Sequence, residues 1–193
     1  VNSPLTLTVG DGPGQTGPDR AEALVREAGP GATVRILDDG LDPTLVAAWL
    51  SGRIPADRGV RYLVDAPTTG NAPYNLARRV QSVARITGGR TDLVLHAGDG
   101  DEVSDPVTPD ADVRDTGGDP DSRRAEYAEI LTGLWSTFPR SALVGDQDNE
   151  VLADDSLIRP LNHSGRHYRV AGPLDGPAPE QGAPRILAPG EVA

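Results

Sequence analysis

Residues 60–96 confine what this chain can fold into. A β-rich run, Val60-Arg61-Tyr62-Leu63-Val64, is followed by residues 73–87, where Leu76, Val80, Val83 and Ile86 recur at helical spacing. That segment opens at Pro73, which suits a helix's first turn, and stops at Gly88-Gly89. A second strand-like run, Leu93-Val94-Leu95-His96, comes directly after. Strand, helix and strand with short connections make a βαβ unit, two parallel strands joined by a crossover helix.

The alternation extends upstream. Residues 5–9 alternate as a strand and end at Gly10; residues 20–28 place Ala21, Leu24, Val25 and Ala28 on one helical face; residues 33–37 form a second strand. Asp42-Pro43 reads as an N-cap with proline in the first turn, opening a helix through Leu45, Val46, Trp49 and Leu50. Such a series predicts an α/β fold with a parallel sheet and its helices outside. Trp49 and Trp135 are expected in the core. The glycine-rich loop Gly10-Asp11-Gly12-Pro13-Gly14 follows a strand, as a phosphate cradle does. Pro18-Asp19 then delays the helix and the chain has no lysine, so a plain loop is the competing reading.

Beyond residue 98 the pattern breaks. Residues 99–121 hold nine Asp or Glu against one Arg, with no apolar period, and read as a long acidic loop. A helix follows at 122–138, with Tyr127, Ile130, Leu131, Leu134 and Trp135 on its buried side. Residues 142–174 read as irregular chain with β-pieces near Tyr168-Arg169-Val170, and residues 185–188 as a fifth strand. Within 193 residues this is one domain, 1–193. The formal charge is −11 and every one of the 18 basic residues is arginine, a composition typical of GC-rich bacterial genes. That acidity argues against nucleic acid and anionic membrane as main partners. The absence of cysteine removes disulfides, thiolate metal sites and cysteine nucleophiles. With no apolar run of spanning length and no leader pattern, a cytoplasmic location is expected.

Several motifs in order resemble the luciferase-like flavin-dependent monooxygenases, in the nitrilotriacetate and alkanesulfonate monooxygenase branch. They are Pro73-Tyr74-Asn75-Leu76-Ala77-Arg78-Arg79 running to Gly88-Gly89-Arg90; Glu129 with Gly133-Leu134-Trp135; Asn162-His163 and Gly165 with Val170 to Leu174; and Gln181-Gly182-Ala183-Pro184 leading to Ile186-Leu187 and Gly190. The resemblance covers residues 37–190. It implies a (β/α)8 TIM-type barrel that binds reduced FMN at the carboxyl ends of its strands. This chain would be a partial or truncated version with about five parallel strands and a long acidic loop, lacking the C-terminal part of the barrel. Inner-face positions are expected at Val34, Ile36, Val64, Leu93 and Leu95.

The resemblance assigns Asp39, Thr68 and Thr69 to the flavin ring. It also exposes departures: the family's His and Tyr before the Gly-Leu-Trp helix are Gly117 and Asp121 here. The family's polar pair closing the fourth strand is replaced near Ala97-Gly98, and its serine turn after the fifth strand becomes Gly190-Glu191-Val192. Acidic side chains at Asp121 and Glu191 would repel a phosphate, which makes FMN binding doubtful. Two readings stay open: reduced-flavin-dependent oxygenation of a small organic substrate, with a flavin reductase as partner, or a non-catalytic, flavin-poor accessory protein of the same descent. A homodimer is expected, because an open parallel sheet leaves edges unpaired and the family's equivalents of helices 42–50 and 73–87 pair between subunits.

From the residues alone, His96 at a strand end is either a general base at the barrel mouth or a residue that merely closes the strand. Asp38-Asp39 is either a ligand contact or a helix cap. His163 and His167, four apart, could share a metal, but Gly165 between them favours a loop and no third ligand stands near. The acidic stretch lacks the calcium-loop spacing and is read as solvated.

Overall fold

The computed structural model describes residues 3–98 and 119–192; most of the acidic run, Gly117 included, lies outside them. The chain divides into two compact units. The first is Val1–Pro67, Ser82–His96 and Pro184–Ala193; the second is Thr68–Gln81 and Ala97–Ala183.

The first unit holds a five-stranded parallel sheet. Its strands are β1 (Leu5–Leu7), β2 (Thr33–Ile36), β3 (Arg61–Pro67), β4 (Thr91–His96) and β9 (Ile186–Leu187). Spatial order follows chain order with no reversal. A doubly wound sheet would switch direction partway, whereas a sequential parallel order is the beginning of a (β/α)8 barrel. The fold is thus the expected partial barrel.

Helix α1 (Pro18–Ala28) packs against β1, and α2 (Pro43–Arg53) against β2 and β3. Asp42 caps α2, its Oδ1 accepting the Thr44 N–H at 2.8 Å, a contact worth about 1 kcal/mol. α1 stops at Gly29, whose φ of 89° other residues avoid. Register sorts the strand residues onto two faces. Leu7 stands beside Ile36, Ile36 beside Val64, Val64 beside Leu93, and Ala66 beside Leu95. These aliphatics, with Val34 and Tyr62, are buried. Ala21, Val25, Val46, Ala47 and Leu50 of the helices are buried as well, and each buried Val or Leu contributes about 1.5–3 kcal/mol.

The other face carries Arg35, Arg61, Leu63, Asp65, Asp92, Val94 and His96. Val34, Ile36, Val64, Leu93 and Leu95 were expected to point into the barrel, and the register overturns this. Right-handed crossovers put α1 and α2 on one side of the sheet, and only the aliphatic side offers their apolar stripes a partner. The inward-facing set is the charged one. Leu63 and Val94 form its apolar patch, closed by Leu187 and by Val192 after the turn at Pro189–Glu191.

The second unit is built on α4 (Pro120–Ser136). Its Tyr127 hydroxyl donates to the Asn71 carbonyl at 2.8 Å and Trp135 Nε1–H to the Ala77 carbonyl at 2.9 Å. Both hold the start of α3 (Pro73–Ile86), whose last residues belong to the first unit. Residues 142–174 are more ordered than expected. They form a hairpin of β5 (Leu143–Asp146) and β6 (Val151–Ala153) and a second pair, β7 (His163–Ser164) with β8 (Arg169–Val170).

Candidate functional site

In an otherwise aliphatic strand, charged residues that all fall on one face mark the face that is not packed on helices. Arg35 in β2, Asp65 in β3 and His96 in β4 follow that rule and meet. Arg35 grips Asp65 with both arms of its guanidinium, Nε to Oδ1 at 2.9 Å and Nη2 to Oδ2 at 2.8 Å. The hydrogen bond to Asp65 raises the Arg35 pKa further, against the opposing effect of burial. His96 Nε2 lies 2.6 Å from Asp65 Oδ2. The Asp65 side chain is 3% exposed, Arg35 17% and His96 34%, so the carboxylate is the buried hinge and the imidazole the accessible end. His96 is the last residue of β4, at the carboxyl edge where barrel enzymes place their chemistry.

A second ionic cluster lies toward the amino ends of β3 and β4. Asp92 accepts from Arg61 Nη2 at 2.7 Å, and from the Arg185 N–H at 3.0 Å and Nη2 at 2.6 Å. Burial pushes the Asp92 carboxyl up, but the hydrogen bonds from Arg185 and Arg61 outweigh it and hold the group below the usual range. This cluster ties β9 to β4 and has the character of a structural clamp.

Asp39 is exposed, and its backbone carbonyl accepts from Gln15 Nε2 at 2.6 Å. The same Gln15 side chain accepts the Gly12 N–H at 2.9 Å. A Cβ at Gly10 would stand 2.1 Å from Gln15 Oε1, and one at Gly40 would stand 2.4 Å from the Val9 carbonyl oxygen. These glycines make room for a glutamine plug and for close backbone approach. The amide a phosphate cradle would use is already taken by Gln15.

Thr68 and Thr69 lie in the second unit, directly after β3. Thr68 Oγ1 accepts the Gly98 N–H at 2.9 Å, and the buried Thr69 Oγ1 sits where a Cβ at Gly98 would come within 1.7 Å. Both hydroxyls are packed over Gly98, which explains a glycine at that position. Asp121 is exposed in the first turn of α4, and Glu191 Oε2 accepts the Ala188 N–H at 2.5 Å, closing its own turn. The threonine hydroxyls are buried beside Gly98.

His163 and His167 serve α4 instead of a metal. His163 Nε2 is 3.0 Å from Glu126 Oε1, and the fully buried His167 pairs through Nε2 with Ser122 Oγ at 3.0 Å. Among the described residues no three His, Cys, Asp or Glu side chains gather as a metal site. Trp135 is buried as expected, but Trp49 is half-buried under the Arg53 guanidinium, 4.3 Å from its ring centre. With Leu41 and Leu45 it borders an apolar pocket of about 300 Å³. Among the described residues no helix is long and apolar enough to cross a membrane.

No family model matches the chain. It is 31% identical over 129 residues to a subunit of the pristinamycin IIA synthase of Streptomyces pristinaespiralis, a match covering 66% of this chain and 40% of that protein. It is 32% identical over 127 residues to a component of the nitrilotriacetate monooxygenase of Aminobacter aminovorans, covering 65% and 27%. Among solved structures it resembles DmoA of Hyphomicrobium sulfonivorans, with a TM-score of 0.70 at 20% identity over 96% of this chain and 48% of that one. The matched region thus spans well under half the length of these two sequence relatives.

Proposed function

This chain belongs to the luciferase-like monooxygenase superfamily, and we propose that it serves reduced-flavin-dependent oxygenation of a small organic substrate, with the flavin pocket completed by a second copy of the chain. Related proteins of the superfamily use reduced FMN, and a flavin reductase would supply it. The observation that carries the reading is the sheet itself. Five parallel strands in chain order present all their carboxyl ends along one edge, while β1 and β9 pair on one side only among the described residues. A barrel wall of this kind excludes water from a bound reactant only when the opposite wall is present.

The residues contribute unequally. Asp39 offers an exposed carboxylate, whereas Thr68 and Thr69 contribute order around Gly98 and no accessible ring donor. A single chain on its own therefore binds FMN poorly, and affinity depends on association. Binding that is completed by a partner must strengthen as chain concentration rises, because ligand and partner are thermodynamically linked. Reduced FMN, titrated under argon at low and high chain concentration, gives saturable binding only at the higher one. Micromolar binding that is independent of chain concentration overturns the shared-pocket reading. The absence of any binding at high concentration favours the non-catalytic alternative, to which the buried threonine hydroxyls already lend support.

A further inference from the structure

We propose that His96 is a proton-accepting group with Nδ1 as its reactive atom, and that Asp65 and Arg35 are positioning residues that fix its tautomer and orientation. The inference does not depend on the flavin reading, since it involves only side chains of the sheet's charged face.

The argument begins with Asp65. A carboxylate that is 3% exposed needs compensation, and Arg35 supplies it through two parallel hydrogen bonds, the strongest geometry available to that pair. Bound by both arms of the Arg35 guanidinium, the Asp65 carboxylate meets its neighbours as an acceptor. Its contact with His96 Nε2 at 2.6 Å therefore requires the ring proton on Nε2. The neutral imidazole then carries its lone pair on Nδ1. This is the logic by which an acid orients a catalytic histidine in a nucleophile–base–acid arrangement, here without the nucleophile. Among the described residues, the charged groups facing the ring are the Asp65 carboxylate on β3 and, behind it, the Arg35 guanidinium on β2.

The structural alternative is an interior ion network that merely fills the barrel. Asp92 is such a case, with arginines on both sides. The Arg35–Asp65–His96 set differs in ending on a titratable ring, one-third exposed, at the carboxyl edge of the sheet. Its chemical partner would be a small molecule with an acidic O–H or an activated C–H. The proton passes from that group to Nδ1, the molecule is left as its conjugate base, and the imidazolium rests on Asp65 until water removes the proton. No oxidant or second reactant is needed for the step.

Two measurements test it. Long-range nitrogen–proton NMR of the wild-type chain is expected to show His96 with a protonated Nε2 and a bare Nδ1. A dominant Nδ1–H form, or the mixture typical of free histidine, overturns the proposal. The second uses diethylpyrocarbonate, which acylates neutral imidazole nitrogen. His96 is expected to react ahead of His163 and His167, and Asp65→Asn to slow that reaction by roughly three- to tenfold. Exposure alone would also make His96 react first, so the decisive result is the variant: an unchanged rate in folded Asp65→Asn overturns the positioning role. If Asp65→Asn does not fold, the wild-type tautomer decides.

Discussion

Glu126 offers the sharpest quantitative prediction. From the middle of α4 its carboxylate gathers the loop at residues 163–168. His163 Nε2 and the Tyr168 N–H reach Oε1 at 3.0 Å, the Arg166 N–H reaches Oε2 at 3.1 Å, and the His167 N–H is shared at 3.2 and 3.0 Å. The side chain is 12% exposed. Burial alone would push its pKa up, but the hydrogen bonds from His163 and from the His167 and Tyr168 amides outweigh that and hold it below its ordinary 4.5. Glu126→Gln keeps the shape and removes the charge. A hydrogen bond to a charged group contributes about 1.5–3 kcal/mol against 0.5–1.5 for a neutral one, and the amide's NH₂ would face donors. With four donors competing for one carbonyl, the loss is about 2–4 kcal/mol. Gly165 provides an independent route to the same node, because a Cβ there would stand 2.0 Å from Glu126 Oε1 and 2.5 Å from His163 Nε2. Gly165→Ala should cost about 1–3 kcal/mol, and the double variant less than the sum, since both break one network. Urea unfolding of all four proteins followed by Trp135 fluorescence measures this. The sign with pH is fixed: a depressed pKa contributes stability that is present above 4.5 and is lost as pH falls through the folded value. The gap between wild type and Glu126→Gln must therefore narrow in acid. A loss below about 1 kcal/mol, or a gap that does not shrink, refutes the reasoning.

Asp92→Asn should destabilise by about 3 kcal/mol, since it leaves Arg61 and Arg185 around an uncharged group. Its stability difference should likewise fade as pH drops below the ordinary carboxylate range, as a denaturation series against pH will show. Gly40→Ala should cost about 1–3 kcal/mol because its Cβ meets the Val9 carbonyl oxygen. Gly52→Ala, with open space around it in α2, should stabilise by about 0.5–1 kcal/mol in the same melts. Leu45→Gln on the exposed side of α2 should change monomer stability by less than about 0.5 kcal/mol. Any larger effect that grows with chain concentration would place Leu45 in an interface.

The alternation of strands and helices was legible because period and punctuation are local. Asp42, Gly29 and Gly88-Gly89 mark element ends wherever the chain goes next. What was not legible depended on which face meets which. Leu45 and Ile86 fall in the apolar helical spacing of their segments, yet they are 67% and 62% exposed, because spacing alone does not say how wide a stripe the sheet covers. The sheet faces were misassigned for a similar reason: both faces of β3 and β4 are largely buried, and aliphatic content alone does not tell inside from outside. The signal that does is the charge at alternate positions, Arg35, then Arg61 and Asp65, then Asp92 and His96. Of the candidate site residues, His96 was identified without the partners that give it a role. Thr68 and Thr69 were matched to a flavin ring, but their hydroxyls are turned onto Gly98. The glycine-rich loop after β1 could not reveal Gln15 as its plug, because that contact closes only when Asp39 arrives from the next strand.

The shared-pocket account is tested most directly by sedimentation equilibrium at micromolar chain concentration, with and without reduced FMN under argon. A charge of −11 per chain opposes association only over about 8 Å at physiological salt, so it does not forbid a dimer. The account predicts roughly twice the 20.2 kDa chain mass, with the dimer strengthened by reduced FMN. A mass of 20.2 kDa that reduced FMN leaves unchanged would contradict it.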